Sequence, residues 1–200
     1  MNVIVIGRGT IGSAVKRVLE AHGHEVQVFA RSGGERAVDI TKVESLRSAF
    51  ASVKKFDAVA CCAGDVFPAP LEQATDDQWA RSFASKAMGQ IAVVRAALPF
   101  IADKGSFVLV SGVLTDEVMP GGVIGTTINH TVEGFVKGAA PELPRGIRIN
   151  CVSPTIVTES TEFRPYFVGF EPVAADEVAR AYLRAIANPM NGRIVKLHKC

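Results

Sequence analysis

The 200-residue sequence predicts one α/β domain: a three-layer, doubly wound parallel sheet of about seven strands with helices on both faces. Continuous apolar runs alternate with amphipathic segments along almost the whole chain, and those segments are long enough for the crossovers that parallel strands require. At 48% hydrophobic and 21% charged residues, a chain of this size buries its apolar surface in a single core. No repeat, low-complexity tract or compositional shift marks a linker, so residues 1–200 read as one domain.

The strands are read at residues 3–6, 25–29, 57–61, 106–110, 147–152 and 193–197, several of them apolar on both faces. The helical periodicity falls at 11–22, 43–53, 76–101, 123–140 and 174–187. Residues 155–172, rich in proline and aromatics, form an excursion between a strand and the last helix, and are expected to be a substrate lid.

Directly after the first strand stands Gly7-Arg8-Gly9-Thr10-Ile11-Gly12, with a helical segment behind it. Glycines here let the backbone curl and approach a pyrophosphate, while the helix start offers free N–H groups and a positive dipole end. This is the setting of a dinucleotide-binding turn, which makes the expected fold a Rossmann fold. About 20 residues further on, NAD-specific proteins place a carboxylate for the ribose hydroxyls. This chain has Arg31 and Ser32 at that point, a cation and a hydroxyl suited to a 2′-phosphate, with Arg8 in the turn able to approach the same group. The expected cofactor is NADP(H) in preference to NAD(H).

Charge narrows the partners. The 22 basic and 20 acidic side chains are scattered, giving a net charge of +2 without the basic stripe that follows a nucleic acid backbone. No apolar run approaches the roughly 20 residues of a membrane span. A soluble cytoplasmic protein with a small-molecule substrate is expected, with no nucleic acid and no membrane as partner. Of the four cysteines, Cys61 and Cys62 are adjacent, and these two and Cys151 sit in strand-like runs; with Cys200 they read as reduced structural thiols, with no metal site.

The order of segments resembles the short-chain dehydrogenase/reductase family over essentially the whole chain. Asp39-Ile40 resembles the pair that contacts adenine in that family, and Cys61-Cys62-Ala63-Gly64 resembles its Asn-Asn-Ala-Gly strand end. Residues 90–99 resemble its long central helix, and residues 105–111 the strand leading to its active site. Residues 133–143 and 146–150 continue the likeness. Residues 153–158 resemble its Pro-Gly-x-x-x-Thr segment with Thr155 in place of the glycine, which implies cofactor contacts for Pro154, Thr155, Val157 and Thr158. The glycine turn departs from the G-x-x-x-G-x-G of the main branch.

The larger departures are catalytic. The main branch carries Tyr-x-x-x-Lys on one helix face, where the Tyr exchanges a proton with the substrate oxygen and the Lys lowers its pKa. No such motif exists here: Gly125 falls at the Tyr position and Asn129 at the Lys position. Gly112 replaces the substrate-orienting Ser, with Ser111 one residue earlier, and Lys86 replaces the helix Asn that supports a proton relay. The candidate substitutes are Lys86 as cation or proton donor, Ser111, Thr126 and Thr127 as hydroxyls, and the Asn129-His130 pair, with His130 the natural acid by pKa. Lys86 and Ser111 also fall where the family faces its cofactor.

The resemblance implies an NADP(H)-binding oxidoreductase that moves hydride to or from a small carbonyl, alcohol or enone with a non-standard proton donor. An inactive NADP(H)-binding sensor or regulatory subunit is the alternative, and an epimerase or dehydratase on the same fold is a third reading. The helices at 76–101 and after 123 make a four-helix interface in the family. A homodimer is expected, with Ala92, Ala96, Ala97, Phe135 and Ala139 as contacts unless they face the sheet, and the short tail ending at Cys200 argues against a tetramer.

Overall fold

The computed structural model describes residues 1–198, so Cys200 and the role expected of it lie outside the described residues. The strands are β1 (Asn2–Ile6), β2 (Glu25–Ala30), β3 (Arg36–Ala37), β4 (Phe56–Cys61), β5 (Ile101–Val110), β6 (Arg148–Pro154) and β7 (Ile194–Leu197). The helices are α1 (Thr10–Ala21), α2 (Val43–Ala51), α3 (Asp76–Ser82), α4 (Gly89–Ala97), α5 (Val123–Ala139) and α6 (Ala175–Ala187). All seven strands form one parallel sheet in the order β3-β2-β1-β4-β5-β6-β7, the doubly wound arrangement expected.

Strand alternation divides the core into two halves. Ile4, Ile6, Phe107 and Leu109 point to one face, where Phe50 of α2, Val93 and Val94 of α4, and Val132 and Val136 of α5 cover them. Val3, Val5, Val108 and Val110 point to the other, under Val15 and Leu19 of α1 and Val178, Tyr182 and Ile186 of α6. No helix among the described residues is long and apolar enough to cross a membrane.

The expected helix over 76–101 is three pieces. A capping box, Thr75 with Gln78, starts α3; a π-helical turn at Phe83–Met88 follows, and α4 stops at Ala97, two residues before Pro99. Ile101 already belongs to β5. Ala96 and Ala97 are buried inside the chain, and Ala92, Phe135 and Ala139 pack partly buried against the same core.

Candidate functional site

The glycine turn is shaped by two contacts. Gly7 has φ +99°, in the left-handed range that a side chain strains, and its N–H bonds the Phe29 carbonyl at 2.8 Å. A Cβ on Gly12 would lie 2.2 Å from the Gly7 carbonyl oxygen, so α1 starts pressed against the turn only because residue 12 has no side chain. At Gly9 the opposite holds: a Cβ there would meet nothing within 4 Å, and no side chain caps α1. No side chain therefore takes up the first N–H groups of the helix, as an anion cradle requires.

Over this turn lies a cleft of about 330 Å³. Gly7, Arg8 and Gly9 line it from β1, Arg31 and Ser32 from the end of β2, and Cys62, Ala63 and Gly64 from the end of β4. Asp39 and Ile40 line it as well. Arg8 donates to the Ser32 carbonyl at 3.4 Å, which gathers both arginines and the serine on one wall. The Thr41 hydroxyl holds the Asp39 carboxyl below its usual range, with smaller help from the Thr41 N–H and from Lys42 and Arg31. Sequence reasoning missed Asp65, whose exposed carboxylate pairs with exposed Arg31 at 3.2 Å across 34 residues of sequence.

A second cavity of about 410 Å³ shares Cys62, Gly64 and Asp65 with the cleft. Its walls are mostly apolar, among them Val66, Leu114, Met119 and Ile156, and segment 155–172 covers it with Phe163, Tyr166 and Phe167. Phe170 stacks edge-on against Phe167 behind that cover. Ile11, Pro154, Thr155 and Val157 also reach this cavity, but exposed Thr10 and exposed Thr158 line neither space. Counted from Pro154, the Thr of the Pro-Gly-x-x-x-Thr pattern falls at Glu159, whose carboxylate accepts the Ala175 N–H at the start of α6.

Three polar side chains converge on this cavity. Lys86 comes from the π-helical turn, where a kink brings residue 86 under the end of β4; a Cβ on Gly64 would sit 2.8 Å from the Lys86 Cα. Its Nζ donates to the Ser111 carbonyl at 3.0 Å, and burial lowers its ammonium to about 8, against a weaker opposing effect of Cys151. The Ser111 hydroxyl donates to the buried Glu133 carboxylate at 2.8 Å and is thereby engaged. Asn129 donates through Nδ2 to the Gly112 carbonyl at 3.4 Å, and its buried Oδ1 has no partner.

Gly125 and Gly112 both line this cavity, and the tyrosine that reaches it is Tyr166 of the covering segment. Tyr182 is buried in α6 with its hydroxyl on the Cys61 carbonyl. His130 is not in the cleft. It is exposed on α5, with Nδ1 on the Thr126 carbonyl one turn back at 2.9 Å, because adjacent helix positions point about 100° apart and Asn129 holds the inward one. Thr127, also exposed, donates to the Val123 carbonyl. The three cysteines among the described residues are free: burial pushes Cys61 and Cys151 up to about 12 and Cys62 higher still.

A parallel sheet with a glycine turn at its switch point and an apolar cavity beside it defines a dinucleotide-dependent class of proteins. The chain belongs to the short-chain dehydrogenase/reductase family: residues 6–191 match the family model described as enoyl-(acyl carrier protein) reductase. The crystal structure of the protein lin1944 from Listeria innocua is 38% identical with a TM-score of 0.96, covering 99% of this chain and 100% of that one. A small-chain dehydrogenase solved in complex with NADPH is 24% identical with a TM-score of 0.88, covering 99% and 96%, a likeness of fold. Human 17-beta-hydroxysteroid dehydrogenase 13 is 25% identical over 86% of this chain, which spans 60% of that protein's length. An uncharacterized oxidoreductase of Methylorubrum extorquens is 33% identical over 46% of this chain and 38% of its own length.

Proposed function

We propose that the protein is a cytosolic, homodimeric NADP(H)-dependent oxidoreductase acting on a small, largely apolar carbonyl, alcohol or enone, with Lys86 as proton donor. One observation carries this reading: the cleft over the glycine turn and the apolar cavity meet at Cys62, Gly64 and Asp65, so a dinucleotide along the first would present its reactive end to the second. The NADPH bound by the small-chain dehydrogenase of the same fold supports the choice of cofactor.

The residues fit such a cofactor. The glycine turn and the uncapped start of α1 would hold the pyrophosphate, Asp39 and Ile40 would flank the adenine, and Arg8, Arg31 and Ser32 would hold a 2′-phosphate. Asp65 takes one Arg31 N–H, but the pair is solvated and therefore weak. Pro154, Thr155 and Val157 would border the nicotinamide, which supplies or accepts the hydride when bound. Lys86 then gives one N–H proton to the substrate oxygen during reduction and is left as a neutral amine that recovers a proton from water. Ser111 positions Lys86 through its carbonyl, and segment 155–172 acts as the lid that excludes water.

Calorimetric titration with NADPH and NADH, followed by a panel of carbonyls and enones, tests the reading. NADPH binding with oxidation by at least one panel member supports it. Absence of dinucleotide binding sinks it, and binding without any turnover leaves a cofactor-binding sensor or regulatory subunit.

A further inference from the structure

Beside the apolar cavity, the segment after β5 and the ends of β6 and β7 meet in a chain of polar side chains that the proposed reaction does not use. Asp116 follows a short turn over Val113–Thr115, and both of its carboxylate oxygens accept from the end of β7. Lys196 Nζ donates to Oδ1 at 2.7 Å, and His198 Nδ1 lies 3.0 Å from Oδ2. The other ring nitrogen, Nε2, stands 3.1 Å from the Ser153 hydroxyl on β6. Lys196 holds the Asp116 carboxyl below its usual range, against a lesser effect of burial and with help from His198.

Serine, histidine and aspartate in this order make up the nucleophile triad of hydrolases. Here Ser153 is 0% exposed and lines neither the cleft nor the cavity, so a substrate does not reach its hydroxyl. The chain joins structural parts instead. Asp116 belongs to the segment whose Val113, Leu114, Met119, Gly121 and Gly122 wall the apolar cavity, and Ser153 precedes Pro154 and Thr155, which line the same cavity. The imidazole is the covered link, 9% exposed against 37% for Asp116. It completes both bonds in either charge state, because a hydroxyl can donate to Nε2 or accept from it.

The wall has few other fastenings. Gly112 is tied by Asn129 at one end and Gly121 by the Ala69 N–H at the other. Between them the N–H groups of Thr115, Asp116 and Glu117 bond back to the Gly112 and Val113 carbonyls, and Val118 is exposed. Among the described residues, no other side-chain hydrogen bond joins residues 113–120 to a strand. We propose that Asp116, His198 and Ser153 form a latch that fastens the wall of the apolar cavity to the ends of β6 and β7. The last strand thereby sets the shape of a cavity that it does not itself line, whether or not the protein turns over a substrate.

Hydrogen exchange of the purified protein, read by mass spectrometry, compares the wild type with His198→Ala, a change on a different element from the one it is to loosen. Amides of residues 115–117 are expected to exchange at least about tenfold faster in the variant, as the loss of one hydrogen bond to a carboxylate predicts, while those of α1 keep their rates. Asp116→Ala also releases Lys196 and should loosen the segment at least as much, and it serves as the test should His198→Ala fail to fold. Adding His198→Ala to it should change nothing further, since both break one link. Unchanged exchange at 115–117, additive effects of the two substitutions, or faster exchange spread evenly over the chain overturns the latch. So does labelling of Ser153 by a fluorophosphonate, which would make it a nucleophile.

Discussion

Lys86 and Ser111 are joined twice over to the interior: the ammonium donates to the serine carbonyl at 3.0 Å, while the serine hydroxyl donates to buried Glu133 at 2.8 Å. The cation is thus held by a neutral acceptor in a mostly apolar cavity, and the Glu133 carboxylate takes the serine hydroxyl.

A pH dependence follows from that arrangement. The groups sharing the surroundings of Lys86 are Cys62 and Asp65 after β4, Cys151 on β6 and Glu133 on α5. Burial keeps both thiols neutral through this range, so Lys86, lowered to about 8, is the group that changes charge there. In the proposed reaction its protonated form is the acid, so the rate of reduction should fall as pH rises past about 8. Lys86→Met should be slower by about 10²- to 10⁴-fold with that limb gone. A pH profile of kcat/KM checks both, and an unshifted alkaline limb in the variant would assign it to another group.

The same shift has a consequence for stability. The unfolded chain binds the Lys86 proton up to its ordinary value of 10.5, the folded chain only to about 8. Between those values the unfolded state holds more protons, so this residue's contribution to stability rises with pH across that window. Lys86→Met should be more stable than the wild type near pH 7, by about 1 kcal/mol or more, with the gap closing toward pH 10.5. Urea denaturation at several pH values measures it.

The proposed preference for NADPH rests on the wall where Arg8 donates to the Ser32 carbonyl and Arg31 pairs with Asp65. Arg31→Ala should weaken NADPH binding by about 10-fold or more and leave NADH nearly unchanged, since a charge-assisted contact contributes about 1.5 to 3 kcal/mol. Asp65→Asn should strengthen NADPH binding slightly by freeing the guanidinium. Titration of both dinucleotides against the two variants distinguishes a phosphate contact from a merely solvated arginine, which would leave the NADPH affinity where it was.

The sheet and the turn were legible because their signals are local. Val3 to Ile6 alternates between the two core faces and runs straight into the glycines, so strand, turn and helix follow from neighbouring residues. The two-residue β3 carries no pattern of its own and exists by pairing Arg36 and Ala37 with Phe29 and Ala30. The π-helical turn is equally silent, because one extra residue per turn barely alters apolar spacing, and Phe100-Ile101 prolonged the helical period past Ala97. Site residues were readable by register, but their partners were not: Arg31 meets Asp65 across 34 residues, and which of Asn129 and His130 faces inward is settled by packing.

Arg148 provides a test of the fold that leaves the site alone. At the start of β6 its guanidinium donates to the carbonyls of Ala185 at 3.2 Å, Ile186 at 2.8 Å, Asn188 at 2.5 Å and Met190 at 3.1 Å, closing the end of α6 and the loop leading to β7. Removing it leaves the Ile186 carbonyl without its donor and the other three with one each: the Ser106 hydroxyl on Ala185, the Met190 N–H on Asn188 and Asn150 Nδ2 on Met190. Arg148→Ala should cost about 1 to 3 kcal/mol and lower the melting temperature by roughly 2 to 12 °C for a domain of this size. Arg148→Lys should recover only part of that, because an ammonium cannot reproduce a planar fork reaching four acceptors. The cavities lie at the carboxyl end of β6, where Pro154 lines one of them, so NADPH affinity measured below the transition should be unchanged in both variants. A loss of affinity in step with stability would mean that the two ends of the sheet are coupled.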